Sequence, residues 1–203
     1  MKRFLALSAL LPLLSLSCGI VGGGLDAYVT GKAGEVQVFR KGGDSWIDLD
    51  TGDVIRWQDT IRVGRNGFLE LTFDDTNVVR LDENTKAHWA SVVDSAGDRV
   101  LEVYNHHGRV LSQINALGRP FARYRVRTPQ SVVYAKGTYF CVTYELHTRN
   151  AEVVVVTGEV IVLYPDIAAE PVFVTPGHFV VVPWHKPPRP PARVSRARWR
   201  PVE

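Results

Sequence analysis

From Arg125 to Tyr164 the chain reads RVRTPQSVVYAKGTYFCVTYELHTRNAEVVVVTGEVIVLY, short bursts of β-branched and aromatic residues broken by Thr-Pro, Gly-Thr and Thr-Gly at strand-like intervals. Such side chains fit a pleated, half-buried surface, and Pro and Gly mark its turns. Beyond the first residues no stretch shows convincing 3.6-residue periodicity, although Asn84–Val93 has room for a single helical turn. The expectation is an all-β body, an antiparallel β-sandwich or β-roll of about a dozen short strands.

Local turn chemistry divides the body further. Asn66-Gly67 suits a type I′ turn and predicts a hairpin over Thr60–Phe73. A turn at Asp74–Asn77 and the apolar Val79 and Leu81 extend it to a meander. Arg99–Tyr104 and Gly108–Ile114 read as a hairpin joined through Asn105–Gly108, Val153–Leu163 as one around Thr157-Gly158, and Val172–Val182 as one around Thr175–His178. Lys41–Asp44 is turn chemistry, and Pro129 belongs at a strand end or edge. The run Val153–Val156 predicts a strand covered on both faces.

The two ends differ from the body. Lys2 and Arg3 precede an apolar run to Leu16, then small Ser17 and Cys18, which reads as a lipoprotein-type signal peptide over residues 1–17 with Cys18 as the lipidated residue. Ser15 stands where such sites usually carry Leu. Plain secretion and an uncleaved anchor are the alternatives. Residues 18–34 are Gly-rich and read as a tether, residues 35–183 as the β-domain, and residues 184–203, rich in Pro and Arg, as a disordered tail. The tail, with six Lys and Arg against Glu203, has a net charge of +5; taking it and the two basic residues of the signal from the chain's +3 leaves the body at −4. A nucleic-acid-binding core is therefore not indicated. For the tail the readings are a solubilising extension, a binder of anionic lipid or wall polymer, a segment that folds back on the acidic body, or a partner ligand through Pro187–Pro191.

Several motifs then fall in a recognisable order. Trp46, Leu49, Gly52, Asp53, Asp59, Ile61, Arg62 and Gly64 are followed by Leu69, Leu71, Phe73, Val79, Arg80, Leu81 and the run Glu83-Asn84-Thr85-Lys86. Thr128-Pro129, Gly137-Thr138 with Phe140 and Val142, and Gly158 with Val160 and Val162 complete the series. Over roughly Gly34–Tyr164 the chain resembles FecR domains, which are envelope domains of bacterial signalling and regulatory proteins. Asp75-Thr76 stands where Asp-Gly is usual, and Ala135-Lys136 where Val-Arg is usual. FecR proteins usually add a cytoplasmic segment and a transmembrane helix that relay a receptor's state to a sigma factor. Neither is read in this sequence, so the resemblance implies the envelope module without the sigma-regulating role.

Catalytic signatures are missing: there is no Gly-x-Ser-x-Gly elbow, His-Glu-x-x-His, phosphate loop or paired-Cys metal spacing. His106-His107 reads as solvated turn residues, and Asp44, Asp48, Asp50, Asp53 and Asp59 as loop carboxylates, since an EF-hand spacing is lacking. Trp46, Trp57 and Trp89 read as core or half-buried aromatics, with a sugar platform as the alternative. Cys141 alternates onto one strand face with Tyr139 and Thr143 and reads as a small buried residue, or else as a thiol for an intermolecular disulfide. The expected function is a non-enzymatic envelope lipoprotein, on the periplasmic side, with the outer membrane favoured because Gly19 follows Cys18. It would present its β-domain to an envelope protein or cell-wall polymer, without a cofactor; a carbohydrate- or peptidoglycan-binding module is the alternative, and the oligomeric state is left open.

Overall fold

One sixteen-residue strand, Arg99–Ile114, organises the structure. The computed structural model describes residues 25–73, 76–93, 97–115, 117, 121–165 and 169–195, so residues 1–17 and Cys18 lie outside the described residues. The strands are β1 (Ala27–Ala33), β2 (Val36–Phe39), β3 (Trp46–Asp48), β4 (Val54–Ile55), β5 (Thr60–Val63), β6 (Phe68–Thr72), β7 (Val78–Leu81), β8 (Thr85–Val93), β9 (Arg99–Ile114), β10 (Phe121–Arg127), β11 (Val132–Ala135), β12 (Thr138–Glu145), β13 (Asn150–Thr157), β14 (Val160–Leu163), β15 (Val172–Val174), β16 (His178–Val182) and β17 (Ala192–Arg193). Among the described residues there is no helix, and the turn of helix allowed at Asn84–Val93 is β8 instead.

The first sheet runs β4-β1-β6-β7-β9-β12-β13-β16-β17. The second runs β3-β2-β5-β8-β9-β10-β11-β14-β15. β9 belongs to both. Its Arg99–His107 half pairs with β8, and its Gly108–Ile114 half pairs with β12. The expected hairpin through Asn105–Gly108 is thus one strand that changes sheets. Gly108 makes the change possible: its φ is +94°, and a Cβ there would collide with Thr85 and sit 2.7 Å from the Asn84 carbonyl oxygen. Fully buried Asn105 braces the bend, its Nδ2 donating to Gly108 O at 3.0 Å and Val142 O at 3.4 Å. Because β9 leaves the second sheet, the chain returns to its start and β10 runs parallel to it, the one parallel pair among the described residues' otherwise antiparallel ladders.

Three other expected hairpins are also crossings. β5 and β6 flank Asn66-Gly67 yet lie in different sheets, as do β13 and β14 around Gly158 and β15 and β16 around Gly177. These residues do turn the chain, but a tight turn at a sandwich edge sends it across as readily as back. The hairpins β2–β3, β6–β7 and β10–β11 do form where turn chemistry places them.

The inner faces share one core. Phe73 lies 5.6 Å from Trp89 and 6.2 Å from Tyr124, which lies 6.3 Å from Phe140, so an aromatic chain joins residues of both sheets. Trp89 Nε1 donates to Leu25 O at 2.7 Å, tying the first described residues to the core. Two boundaries move. The Gly-rich tether expected to reach residue 34 gives way to β1 from Ala27, which pairs with β6. Residues 184–195 of the expected disordered tail run back along the body, where β17 pairs with β16. This return also explains the valine run: Val153 and Val155 enter the main core, while Val154 is buried on the opposite face with Leu111 and Cys141 under Phe179 and Val194.

Candidate interaction surface

A two-sheet body spends its inner faces on the core, so recognition falls to the outer faces, edges and loops. On the outer face of the second sheet, register aligns side chains into rows across the strands. One row runs Trp46, Phe39, Thr60, His88, Tyr104, Arg127. Beside it runs Ala90, Glu102, Arg125, Tyr134, Ile161, Phe173, and on the other side Asp48, Gln37, Arg62, Lys86. Period-2 alternation makes this possible: in β10, Tyr124 and Val126 are fully buried while Arg123 and Arg127 are exposed.

The face is organised by cations on rings. Arg62 lies 4.4 Å from the Trp46 ring centroid, Arg125 5.6 Å from that of Tyr134 and Arg127 5.8 Å from that of Tyr104. Arg125 also donates from Nε to buried Glu102 at 2.5 Å and from Nη1 to the Tyr134 hydroxyl at 2.8 Å. His88, with Thr60 Oγ1 3.2 Å from its Nδ1, is held below its ordinary pKa by burial, which Glu102 and Asp59 only partly offset. Burial, with Lys86, His88 and His107, lowers His106 as well. At neutral pH both imidazoles are therefore uncharged, and the positive charge of the face comes from its Arg and Lys.

The other residues singled out in the sequence go elsewhere. Trp89 is in the core and Trp57 packs under Lys41 at 4.2 Å, so the three tryptophans share no platform. Asp59 is buried, 2.6 Å from Arg40 Nη1, and accepts the Arg56 N–H at 2.8 Å. Asp53 accepts from Asp50 N, Asp48 from Gln37 and Asp44 from Ser45, while Asp50 lies 3.1 Å from Lys32. The carboxylates do not converge; among the described residues no group of three or more His, Cys, Asp or Glu is placed to hold a metal. His106 packs edge-on against Tyr104 while the His107 Nδ1 lies 2.8 Å from Asn84 O, so the two rings diverge. Cys141 is buried and free, its thiol pushed up by burial against the opposing pull of Arg109, whose Nε donates to Sγ at 3.1 Å. Near the β9 bend lies an open groove of about 760 Å³, lined by His107, Thr143, Glu145, His147, Glu152 and the tail's Arg189.

The FecR protein family model matches residues 59–161, just over half of the 203-residue chain. The chain belongs to that family. Two crystal structures of a candidate anti-sigma factor from Parabacteroides distasonis share the fold of this FecR protein, with a TM-score of 0.53 at 21% identity. The match covers 66% of this chain and 59% of that protein. Among curated proteins, none matches the sequence.

Many of the FecR signature residues build turns. Thr128 Oγ1 accepts from Ser131 N at 2.9 Å and Gln130 N at 3.1 Å, closing the turn around Pro129. Thr138 Oγ1 donates to Glu159 O at 2.9 Å, joining the crossings at Gly137 and Gly158. Three signature residues behave differently: Trp46, Arg62 and Lys86, from β3, β5 and β8, meet on the open face, with Lys86 Nζ 6.0 Å from the Trp46 ring. Sequence reasoning placed Trp46 as a packing residue and passed over Arg62 and Lys86 as surface partners. The alternation in Arg123-Tyr124-Arg125-Val126-Arg127 was the available signal for a cation-bearing outer face.

Proposed function

We propose that this FecR protein is a non-enzymatic binding or signalling module of the bacterial envelope, docking a protein partner on the outer face of the second sheet. The observation that carries this reading is the convergence of Trp46, Arg62 and Lys86 on that face. Trp, Tyr and Arg are the residue types that dominate the energy of protein interfaces, and here rings and guanidinium groups are already stacked, which lowers the ordering cost of binding. Family membership supports a regulatory role at the envelope, and the anti-sigma description of the P. distasonis protein is consistent with it. Lipidation of Cys18 would tether the domain to a membrane and bring envelope partners within reach.

A protein partner is favoured over a glycan because the ring faces of Trp46, Tyr104 and Tyr134 already carry Arg62, Arg127 and Arg125. A sugar would have to displace them. The test is photo-crosslinking in cells from the Thr60 and Ile161 positions of the full chain, with and without Arg62→Glu and Trp46→Ala. A discrete protein adduct that both variants weaken supports the reading; an undiminished adduct, or Trp quenching by wall glycans alone, rejects it. Intact mass of the native protein beside a Cys18→Ala variant tests the anchor, since only an acylated Cys18 adds a Cys-dependent lipid increment.

A further inference from the structure

On the outer face of the second sheet two cations stand directly opposite each other, because register pairs Arg62 of β5 with Lys86 of β8. Like charges at such a position destabilise a sheet. The Trp46 ring relieves part of this, with Arg62 4.4 Å and Lys86 6.0 Å from its centroid. A ring quadrupole attracts a cation but does not neutralise it.

The carboxylates around the face do not neutralise the pair either. Glu102 is buried against Arg125, 2.5 Å from its Nε. Asp48 accepts from Gln37 Nε2 at 2.6 Å, and Gln37 Oε1 accepts from Arg62 Nε at 2.6 Å, so this acid reaches Arg62 only through a neutral amide. Glu35 comes within 3.9 Å of Arg62, but both side chains are exposed, and such a contact is weak and screened. Among the described residues no carboxylate pairs with Lys86, nor with Arg127, which carries the cationic track to β10 over the Tyr104 ring. The body as a whole is net acidic, so these cations are a property of the face and not of composition. Apolar rings lie among them: Phe39 packs on Trp46 at 5.6 Å, and Phe173, 55% exposed, ends the row through Tyr134 and Ile161.

We propose, resting on the docking role given above to this face, that the protein partner presents an acidic segment to it. Its carboxylates meet Arg62, Lys86 and Arg127, and its apolar residues lie on the rings beside them. A carboxylate placed between Arg62 and Lys86 removes a repulsion that the free domain carries, so binding gains the attraction and the relief together. Wall-polymer phosphates would match the cations but leave Phe39 and Phe173 unused, whereas a protein segment engages both.

The test repeats photo-crosslinking from Thr60 in cells, on the full chain with Lys86→Glu, Arg127→Glu or Lys86→Arg. Each charge reversal should lower the protein adduct several-fold, and Lys86→Arg should retain it. Replacing Asp and Glu of the crosslinked segment by Lys should restore the adduct with Lys86→Glu. The purified Lys86→Glu chain should melt higher by about 1–3 °C, because opposite charges then face each other across β5 and β8. Loss of the partner together with a gain in stability is a result that a purely structural Lys86 does not give. A lower melting temperature assigns Lys86 to the fold and overturns the proposal. An adduct weakened by Trp46→Ala yet indifferent to both charge reversals leaves the docking role standing and rejects the acidic partner. Attachment to a wall polymer or a phospholipid, or no attachment at all, rejects both.

Discussion

Gly158 faces the Gly137 carbonyl across the seam where β13 passes into β14, so closely that a Cβ on Gly158 would overlap that oxygen and lie 3.0 Å from Thr138 Cα. Its φ of +73° adds a backbone demand to the steric one. Gly158→Ala should therefore lower stability by well over ~1 kcal/mol, measured by urea titration. Gly177→Ala is the control, because its φ is +75° with nothing within 4 Å of the added Cβ. Equal losses for the two would show that the close approach at the seam is not what matters.

Asp59 and Arg40 form a pair in which the carboxylate is almost wholly buried and the guanidinium is one-quarter exposed. Removing one partner of such a pair strands the other. Asp59→Ala should cost about 3 kcal/mol, with Asp59→Asn milder because its side-chain oxygen still accepts the Arg56 N–H. A loss under ~0.5 kcal/mol, within the range of ordinary surface changes, would mean that water replaces the pair.

Tyr124 and Ser112 hydrogen-bond at 2.8 Å inside the core, where burial pushes the phenol well above its ordinary pKa. Tyr124→Phe leaves the Ser112 hydroxyl unpaired and should cost about 1–3 kcal/mol. Adding Ser112→Ala should return part of that, because an apolar pair has nothing to satisfy. A double-mutant cycle with no coupling would show that the two hydroxyls act independently.

His88 and His106 both have folded pKa values below their unfolded value of about 6.5. The unfolded chain thus takes up protons first as pH falls. Their contribution is neutral above the unfolded pKa and becomes a loss of stability as pH drops through 6.5 toward the folded values. Thermal melts between roughly pH 7 and pH 5 should show this loss, and the double variant His88→Gln with His106→Gln should flatten the slope. An unchanged slope would assign the pH dependence to carboxylates.

Much of the local structure was legible. Alternation in Arg123–Arg127 and Leu69–Phe73 separates inward from outward residues, and Lys41–Asp44 and Thr128-Pro129 mark true hairpin turns. The Thr60–Phe73 and Val153–Leu163 hairpins were misread because a turn signal does not say whether the next strand stays in its sheet. The tail reads as free in the sequence because its apolar anchor among the described residues, Val194, gains its value only from Leu111, Cys141 and Val154 beneath it. Composition shows how little core a segment carries, but not what the body leaves open beside it.

The sequence by itself determined that this chain is all-β, where its backbone turns, and that it is a FecR protein. Those properties reside in period-2 alternation, turn residues and motif order, which act over a few residues or along the chain. The tertiary structure alone decided that β9 serves two sheets, that Trp46, Arg62 and Lys86 meet on one face, and that the tail returns to β16. Each of these depends on which distant strands pair and in what register, and register is set by the simultaneous burial of many inward faces rather than by any local stretch.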